Sequence, residues 1–318
     1  MGNFEIKLGK ATRDAYGEAL LELGKKYSDI IVLDADLSKS TKSIAFAKAF
    51  PERFINCGIA EANMVSMAAG LANAGFVPFA SSFASFLMCK AFDQIRMSIA
   101  NPLMNVKLVG SHGGISLGED GASQQAVEDI SLACSLPGLS VIVPSDEFQT
   151  RAITKLAYEH KGPLFIRTGR PKAPVIYSNN ETFEIGKAKI LRQGKDATII
   201  AIGLLVAEAL LAADKLREEG IEVNVVDMFT VKPIDKDIIV DLAKKTGAIV
   251  TAEEHLIGGL SSQVSMVLVN NYPVPVEFVG INDTYSESGK PEELMEKYGL
   301  TYKDIIKAVK KVLTKKVH

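Results

Sequence analysis

The sequence has 318 residues, of which 47% are hydrophobic and 23% charged, with a formal net charge of −2. This composition is typical of a globular protein long enough for two domains, and it gives no support to a nucleic acid or an anionic membrane as partner. No apolar run reaches the roughly 18 residues that a membrane span needs, and the polar start does not resemble a signal peptide. The three cysteines form no CxxC pair. We therefore expect a cytoplasmic protein without a disulfide framework or a zinc site.

Short apolar strands alternate with amphipathic helices along the first half of the chain. The pattern predicts strands at 30–33, 54–57, 77–81, 106–110, 141–143 and 164–166, with helices at 84–100 and 147–158. Thr12 is a candidate cap for a further helix that follows it. Alternation of this kind implies right-handed crossovers and a largely parallel sheet.

The polar segment 178–184 is the best candidate for a linker. Beyond it the alternation restarts, with strands predicted at 198–202, 223–226, 248–252 and 276–279 and helices between them. We therefore predict an α/β protein of two domains, residues 1–184 and 185–318, each a mostly parallel sheet flanked by helices.

The segment 53–70 has the most informative local pattern. A short strand runs into a turn at Gly58, and Glu61 then falls in the first turn of a helix whose apolar face includes Met64 and Ala68. A first-turn acid stabilises a helix through the dipole, which is the simplest interpretation. The functional alternative is a ligand-binding carboxylate at the carboxyl edge of a parallel sheet.

Other side chains with useful chemistry also follow predicted strands or begin helices. The glycine-rich loop 112–121 contains His112 but lacks the GxxxxGK[ST] pattern, so it is not a nucleotide phosphate loop. The guanidinium groups of Arg13, Arg167 and Arg170 are suited to phosphate, although surface arginines are common. Phe83 and Phe86 fit either a core or a ligand pocket. From the residues alone we infer a strand-end site for an anionic small molecule.

Six segments taken together resemble the transketolase family. They run in order along nearly the whole chain: ATRDAYG (11–17), LDADLSKS (33–40), IAEANM (59–64), AFDQIRM (91–97), GSHGGISLGEDG (110–121) and FIRTGRP (165–171). The resemblance covers only the second half of a full-length transketolase, and it implies a pyrimidine-binding domain followed by the family's C-terminal domain.

The resemblance also implies a cofactor and a partner chain. The family uses thiamine diphosphate, whose metal is held by a Gly-Asp-Gly motif and a later Asn, and this sequence has no Gly-Asp-Gly. We therefore expect no metal ligand here, with Mg²⁺ or Ca²⁺ ligated mainly by a separate N-terminal transketolase subunit. Family sites lie between subunits, so we expect a self-dimer that becomes an α2β2 heterotetramer.

Individual family roles carry over to matching positions. By similarity, Glu61 is the acid that activates the cofactor through its aminopyrimidine ring, Phe83 and Phe86 form the pyrimidine pocket, and Asp36 is an interface acid beside the cofactor. Cys89 replaces the family's next pocket aromatic. A further set matches the substrate site, with Arg13, Ser40 and Arg170 as a sugar-phosphate clamp and His112, Asp120 and Gln124 near substrate hydroxyls. His112 is also a catalytic candidate.

The implied reaction transfers a two-carbon ketol unit from a ketose phosphate to an aldose phosphate. One alternative is the beta subunit of a 2-oxoacid dehydrogenase first component, which has similar length and fold but needs no phosphate clamp. Deoxyxylulose-phosphate synthase is a further alternative, although it normally carries both halves on one chain. A non-catalytic homologue that acts as a scaffold is the alternative outside enzymes.

Overall fold

Two large β-sheets flanked by helices organise the chain, and the computed structural model describes residues 2–316. The strands in chain order are β1 (Leu8–Ala11), β2 (Ile30–Asp34), β3 (Phe54–Asn56), β4 (Val77–Phe83), β5 (Lys107–Ser111), β6 (Ser140–Ile142), β7 (Leu164–Arg167), β8 (Lys172–Pro174), β9 (Lys189–Arg192), β10 (Ala197–Ala201), β11 (Val223–Asp227), β12 (Thr230–Lys232), β13 (Ile249–Leu256) and β14 (Val276–Ile281).

The α-helices, in the same order, are α1 (Thr12–Lys26), α2 (Ser38–Thr41), α3 (Ile44–Ala49), α4 (Glu61–Asn73), α5 (Phe92–Gln94), α6 (Asp129–Ser135), α7 (Glu147–Glu159), α8 (Leu205–Glu218), α9 (Lys236–Thr246), α10 (Leu260–Asn271), α11 (Pro291–Lys297) and α12 (Tyr302–Thr314). Within residues 2–316, a 3₁₀ turn covers Pro51–Arg53, and π-helical segments cover Phe86–Lys90 and Ile95–Ala100.

The larger sheet has seven strands in the order β12-β6-β7-β5-β4-β2-β3, and all neighbours are parallel except β12 and β6. The second sheet has the order β14-β13-β10-β11-β9, where only β9 is antiparallel to its neighbour. These sheets confirm the predicted α/β fold. Because β12 follows β11 in sequence, the second half of the chain adds an edge strand to the sheet of the first half.

Central strands are buried along their whole length, as parallel strands covered by helices on both faces require. Every residue of β2, β4, β5, β10 and β11 is buried. One apolar cluster crosses between the two halves, since Val141 and Val143 of the first pack in it with Val226, Met228 and Val231 of the second. The two sheets therefore share a dry interface, which fixes the second half against the site described below.

Two local predictions differ from the structure. Thr12 is the first residue of α1 and does not cap it; its Oγ1 accepts a hydrogen bond from the backbone N–H of Gly169 at 2.7 Å. The predicted helix 84–100 is interrupted near Ala91, whose φ and ψ are −113° and 15°, and much of it is π-helical. π-helical turns occur often at functional sites, because they shift side chains out of the regular helical register.

The segment between β8 and β9 contains no helix or strand. The predicted linker 178–184 lies within it, and the domain boundary at 184 stays a prediction. No helix among residues 2–316 is long and apolar enough to cross a membrane.

Candidate active site

The candidate site residues converge on one edge of the seven-stranded sheet. Parallel strands β2, β3, β4, β5 and β7 all end there, so the segments that follow them are neighbours. Asp36 and Ser40 follow β2, Glu61 follows β3, Phe86 follows β4, His112 follows β5 and Arg170 follows β7. Arg13 reaches the same edge from the start of α1.

Glu61 is the first residue of α4, and a glycine turn with φ of 68° at Gly58 precedes it. Its side chain is only 3% exposed, and the ammonium group of Lys90 lies 3.5 Å from Oε1. An acid that serves only the helix dipole needs no burial, and buried glutamates are rare unless they are paired. Burial beside a cation therefore favours the functional interpretation of Glu61.

Two phenylalanine rings form the wall between the acid and the substrate end. Phe83 and Phe86 stack with centroids 5.4 Å apart and planes at 23°. Lys90 lies 4.3 Å above the Phe86 ring, and the imidazole of His112 lies 3.8 Å from the Phe83 ring. The pair of rings therefore contacts Lys90, the ion-pair partner of Glu61, on one side and His112 on the other. Flat apolar faces of this kind suit an aromatic heterocycle.

His112 has a defined tautomer. Its Nε2 lies 2.9 Å from a guanidinium nitrogen of Arg13, and Arg is a donor only, so Nε2 accepts. Its Nδ1 therefore carries the proton and donates to Oγ of Ser111 at 2.8 Å. Burial lowers the pKa of His112 to about 3, and the positive charge of nearby Arg13 adds to the effect. The ring is neutral at physiological pH.

Arg13 joins His112 to the loop after β2. The same guanidinium nitrogen donates to the carbonyl oxygen of Ser40 at 3.2 Å, while its Nε is buried without a hydrogen-bond partner among the described residues. A buried, unpartnered N–H on a cation fits an anionic oxygen from a ligand.

The loop that carries Ser40 is held by Asp34, at the end of β2. This buried carboxylate accepts hydrogen bonds from the backbone N–H of Leu37 at 2.6 Å, Oγ1 of Thr41 at 2.7 Å and Oγ of Ser43 at 2.9 Å. Asp34 therefore fixes the path of the chain on both sides of Ser40.

Arg170 and Asp120 lie at the outer rim of the site. The guanidinium of Arg170 donates to the carbonyl oxygen of Leu117 and to the carboxylate of Glu119 at 3.0 Å. It is close enough to help lower the pKa of His112. Asp120 is exposed, and its carboxylate acts electrostatically on Arg13.

Two more residues complete the predicted set. The backbone carbonyl of Gln124 accepts a hydrogen bond from Oγ of Ser85 at 3.0 Å, which places the residue beside the segment after β4. Asp36 is exposed and accepts from the side-chain amide of Asn56 at 3.0 Å.

Backbone strain concentrates around this edge. Asp36, Lys42 and His112 have φ of 62°, 70° and 59°, in the left-handed region that non-glycine residues seldom adopt. Such conformations persist where the surrounding structure enforces them, and they cluster at functional sites.

A continuous series of contacts therefore runs from the acid to the clamp: Glu61, Lys90, Phe86, Phe83, His112, Arg13, Ser40. A buried carboxylate and aromatic faces at one end fit an aminopyrimidine. For the metal and diphosphate, residues 2–316 group no three His, Cys, Asp or Glu side chains that could hold a cation.

Sequence reasoning missed some residues and misjudged one. Lys90, inside the predicted helix 84–100, and Ser111, directly after the predicted strand 106–110, were not candidates. Arg167, considered for phosphate binding, is instead buried in an ion pair with Asp129, with Nε 2.9 Å from Oδ2. In place of the expected pocket aromatic, the thiol of Cys89 lies 3.7 Å from Glu128.

Comparison with known proteins assigns both halves of the chain. Residues 9–175 match the family model described as the transketolase pyrimidine-binding domain, and residues 186–305 match the transketolase C-terminal domain. A transketolase C-terminal section from Methanocaldococcus jannaschii is 47% identical over 96% of this chain and 97% of its own length. The 6-deoxy-6-sulfo-D-fructose transketolase subunit SqwH of a Clostridium strain is 43% identical over 98% of each chain.

A solved structure has the same fold. A split-gene transketolase, described as an inactive beta4 tetramer, superimposes with a TM-score of 0.91 at 53% identity, over 97% of this chain and 100% of the other. The chain spans about half the length of the mammalian transketolases that it also matches. The chain therefore belongs to the transketolase family, as a counterpart of the C-terminal section that split transketolases carry.

Proposed function

We propose that this chain is the C-terminal subunit of a two-chain transketolase. The complex transfers a two-carbon ketol unit from a ketose phosphate of the xylulose 5-phosphate type to an aldose phosphate of the ribose 5-phosphate or erythrose 4-phosphate type. The observation that carries the proposal is the contact series from buried Glu61 to Arg13 and Ser40. The series connects a buried acid, through two phenylalanine rings and an imidazole, to a guanidinium group suited to an anion.

Thiamine diphosphate supplies the carbanion chemistry when it is bound. Glu61 holds a proton-sharing carboxyl group in a buried position, where it is available to a ring nitrogen of the aminopyrimidine. Phe83 and Phe86 bind the ring faces and keep water away from the acid. Asp36 stands at the rim, where an interface acid would meet a neighbouring subunit.

At the other end, Arg13, Ser40 and Arg170 bind the terminal anionic group of the sugar, because guanidinium forks make charge-assisted hydrogen bonds to such oxygens. His112 contributes as a neutral imidazole, whose Nε2 accepts a hydrogen bond and carries no proton. Asp120 and Gln124 offer acceptor and amide groups to substrate hydroxyls.

The partner we propose is an N-terminal transketolase subunit in an α2β2 heterotetramer, built on a self-dimer of this chain. Mg²⁺ or Ca²⁺ would be ligated mainly by that subunit. Two relatives support this arrangement by their descriptions, one as a C-terminal section and one as an inactive tetramer of beta chains. Cytoplasmic location stays a prediction.

A second candidate concerns the substrate. A relative covering almost the whole chain is named as a subunit of a 6-deoxy-6-sulfo-D-fructose transketolase. A sulfonate presents three oxygens as a phosphate does, so the clamp of Arg13 and Arg170 suits either group. The reaction class is the same in both cases, and only the donor sugar differs.

The first experiment titrates thiamine diphosphate with Mg²⁺ into this chain alone and with its N-terminal partner, followed by calorimetry. Binding only in the mixture supports a split cofactor site, whereas tight binding to this chain alone overturns it. The mixture is then assayed with xylulose 5-phosphate, with 6-deoxy-6-sulfo-D-fructose and with 2-oxo acids. Ketol transfer from either sugar supports the proposal, and 2-oxo acid decarboxylation without ketol transfer overturns it.

Glu61→Gln tests the acid within the same complex. The variant keeps the size of the side chain but loses the carboxyl group, so turnover should fall at least about 100-fold, the scale of proton-transfer catalysis. Asp283→Asn, an exposed change in the second half, is the matched control. Unchanged turnover in Glu61→Gln would show that the carboxyl group of Glu61 takes no part in the reaction.

A further inference from the structure

The inference concerns what holds the loop that faces the substrate, and it rests on the function proposed above. Residues 112–124 carry His112, Asp120 and Gln124 and include no helix or strand longer than an isolated bridge. Within the first half of the chain, the backbone N–H of Gly113 donates to Thr168 at 3.1 Å and that of Gly114 to Ala126 at 2.8 Å. The backbone N–H groups of the next two residues, Ile115 and Ser116, are bound by a residue of the second half.

Glu254, near the end of β13, provides that anchor. Its Oε1 accepts hydrogen bonds from the backbone N–H groups of Ile115 at 2.7 Å and Ser116 at 2.6 Å. Glu254 is 5% exposed, so the carboxylate is bound to the loop in a dry environment. Hydrogen bonds to an ionised acceptor are about twice as strong as neutral ones, which suits a single side chain that fixes two consecutive amides.

The loop is built to approach this carboxylate closely. A Cβ atom on Gly114, where φ is +82°, would lie 2.1 Å from Oε1 of Glu254. A Cβ on Gly113 would lie 2.4 Å from Nε of Arg167. Two consecutive glycines are therefore required for contact with Glu254 and Arg167.

Arg167, at the end of β7, connects Glu254 to the first half of the chain. Its guanidinium donates to the carbonyl oxygens of Ala126 at 2.9 Å and Glu254 at 3.0 Å, while Nε contacts the buried carboxylate of Asp129. Burial raises the pKa of Glu254, and the positive charge of Arg167 opposes this effect. Arg167 therefore holds the backbone of Glu254 in place, and the side chain of Glu254 in turn holds the loop.

A second contact from the C-terminal half lies at the other end of the loop. The side-chain amide of Gln125 donates to the carbonyl oxygen of Glu287 at 3.1 Å. A Cβ on Gly121 would lie 2.5 Å from Oγ of Ser288. Both ends of the segment that carries Asp120 therefore contact the C-terminal half.

We propose that Glu254 is a positioning residue for the transketolase site, through which the C-terminal domain holds the substrate-facing loop in place. His112 directly precedes the glycine pair, so a shift of Ile115 and Ser116 moves the imidazole and the carboxylate of Asp120 with it. Glu61 and the Phe83–Phe86 wall lie on other segments and keep their places. Loss of the anchor therefore weakens sugar binding more than cofactor binding.

The neighbouring Glu253 offers a matched control. It is equally buried in β13 and also accepts two backbone hydrogen bonds, from Leu260 at 2.6 Å and Ser261 at 3.0 Å, but these begin α10 and do not reach the loop. A purely structural role predicts similar behaviour for Glu253→Ala and Glu254→Ala. A positioning role predicts that only Glu254→Ala changes the loop and the site.

Amide hydrogen exchange in the full chain alone gives the direct test. In Glu254→Ala, exchange at Ile115 and Ser116 should accelerate at least tenfold beyond any change in the slowest core amides, and Glu253→Ala should leave these two amides unchanged. Glu254→Gln keeps an acceptor oxygen at the same reach and should restore most of the protection. If Glu254→Ala does not fold, Glu254→Asp, whose carboxylate falls short of the loop, is compared with Glu254→Gln.

Activity of the complex with the N-terminal subunit gives the second readout. In Glu254→Ala, the KM for the ketose phosphate should rise about 10- to 100-fold, since misplacement by about 1 Å has effects of this size. The thiamine diphosphate concentration for half-maximal activity should stay within about twofold. Unchanged loop exchange, or equal changes in Glu253→Ala, overturns the positioning role. Absence of ketol transfer in the wild-type complex overturns the proposed function instead.

Discussion

Arg13 donates a hydrogen bond to Nε2 of His112 at 2.9 Å, and this contact makes the imidazole an acceptor at the substrate end of the site. The proton on Nδ1 is directed to Ser111, away from the open edge. The pair therefore presents a fixed cation and a neutral ring, an arrangement suited to holding an anionic group and unsuited to donating a proton from Nε2.

The first prediction concerns this cation. Arg13→Ala should raise the KM for a sugar phosphate about 10- to 100-fold, because a hydrogen bond to a charged group contributes about 1.5–3 kcal/mol. The increase should vanish for a substrate analogue that lacks the phosphate. Steady-state kinetics of the two-subunit complex measures both values.

Arg151→Ala is the control for Arg13→Ala. Arg151 bridges Glu18 and Glu22 between α7 and α1, outside the site, so its removal should leave the KM unchanged. An Arg13→Ala complex with wild-type KM for the phosphorylated sugar would contradict the clamp.

The second prediction concerns the charge of His112. With a pKa of about 3 in the folded chain and about 6.5 when unfolded, the ring should stay neutral, with the proton on Nδ1, from pH 8 to pH 5. Nitrogen NMR of labelled histidine in the folded chain measures both the tautomer and the titration. A midpoint near 6.5 for His112 would contradict the prediction.

The same shift makes stability depend on pH. As the pH falls from about 6.5 towards 3, the unfolded chain binds a proton at His112 that the folded chain does not, so the free energy of unfolding decreases. His112→Gln removes this contribution. The wild type should therefore lose stability relative to His112→Gln in this window, and urea unfolding at several pH values provides the measurement.

Much of the fold follows from local pattern in the sequence. The central strands are short apolar runs that lack helical spacing. The ends of β2, β10 and β11 were therefore predicted to within a residue or two. The position of Glu61 at a helix start followed from Gly58 and the helical spacing of Met64 and Ala68. The roles of these residues came from the family resemblance, because residue type alone leaves a first-turn acid ambiguous.

The remaining features depend on contacts that no local pattern encodes. Glu254 meets Ile115 across 139 positions of sequence, and β12 joins the sheet of the first half. The interruption near Ala91 was not predicted either, since the sequence 84–100 has ordinary helical spacing. Features such as the Glu254 anchor and the position of β12 therefore depend on contacts between distant segments, which local sequence patterns do not show.

The third prediction concerns a buried acid between the two halves. Asp227 accepts hydrogen bonds from Tyr177 at 2.8 Å, Gln149 at 2.9 Å and Ser145 at 3.2 Å, and burial raises its pKa to about 7. The unfolded value is about 3.9, so between about pH 4 and 7 the folded chain keeps a proton that the unfolded chain releases. Stability should therefore fall as the pH rises through this window.

Asp227→Asn isolates this effect, because the amide has no proton to release. The wild type should lose stability relative to the variant by at most about 1.4 kcal/mol per pH unit, measured by urea unfolding from pH 4 to pH 8. The exposed change Asp283→Asn should follow the wild type. Parallel curves for wild type and Asp227→Asn would show that this acid titrates normally.

The last prediction concerns Lys107, a fully buried lysine at the start of β5. Its ammonium group donates to Oδ1 of Asn105 at 2.7 Å and to the carbonyl oxygens of His160 at 2.7 Å and Gly162 at 2.8 Å. Lys107→Met fills similar space but removes the donor to all three oxygens, and Oδ1 of Asn105 keeps only the backbone N–H of Gly162, at 3.2 Å, among the described residues. Unfolding in urea should show a loss of about 3 kcal/mol, since each unsatisfied buried group costs about 1–3 kcal/mol.

Lys155→Met is the control for Lys107→Met. Its side chain is 52% exposed and ion-paired with Glu22 at 3.7 Å, so stability should change by no more than about 0.5 kcal/mol. Lys107 lies at the opposite end of β5 from Ser111 and His112, so the folded Lys107→Met variant should keep the KM and the turnover of the wild-type complex. A variant as stable as the wild type would mean that water satisfies these oxygens. Lost activity in the folded variant would mean that this edge of the sheet reaches the site.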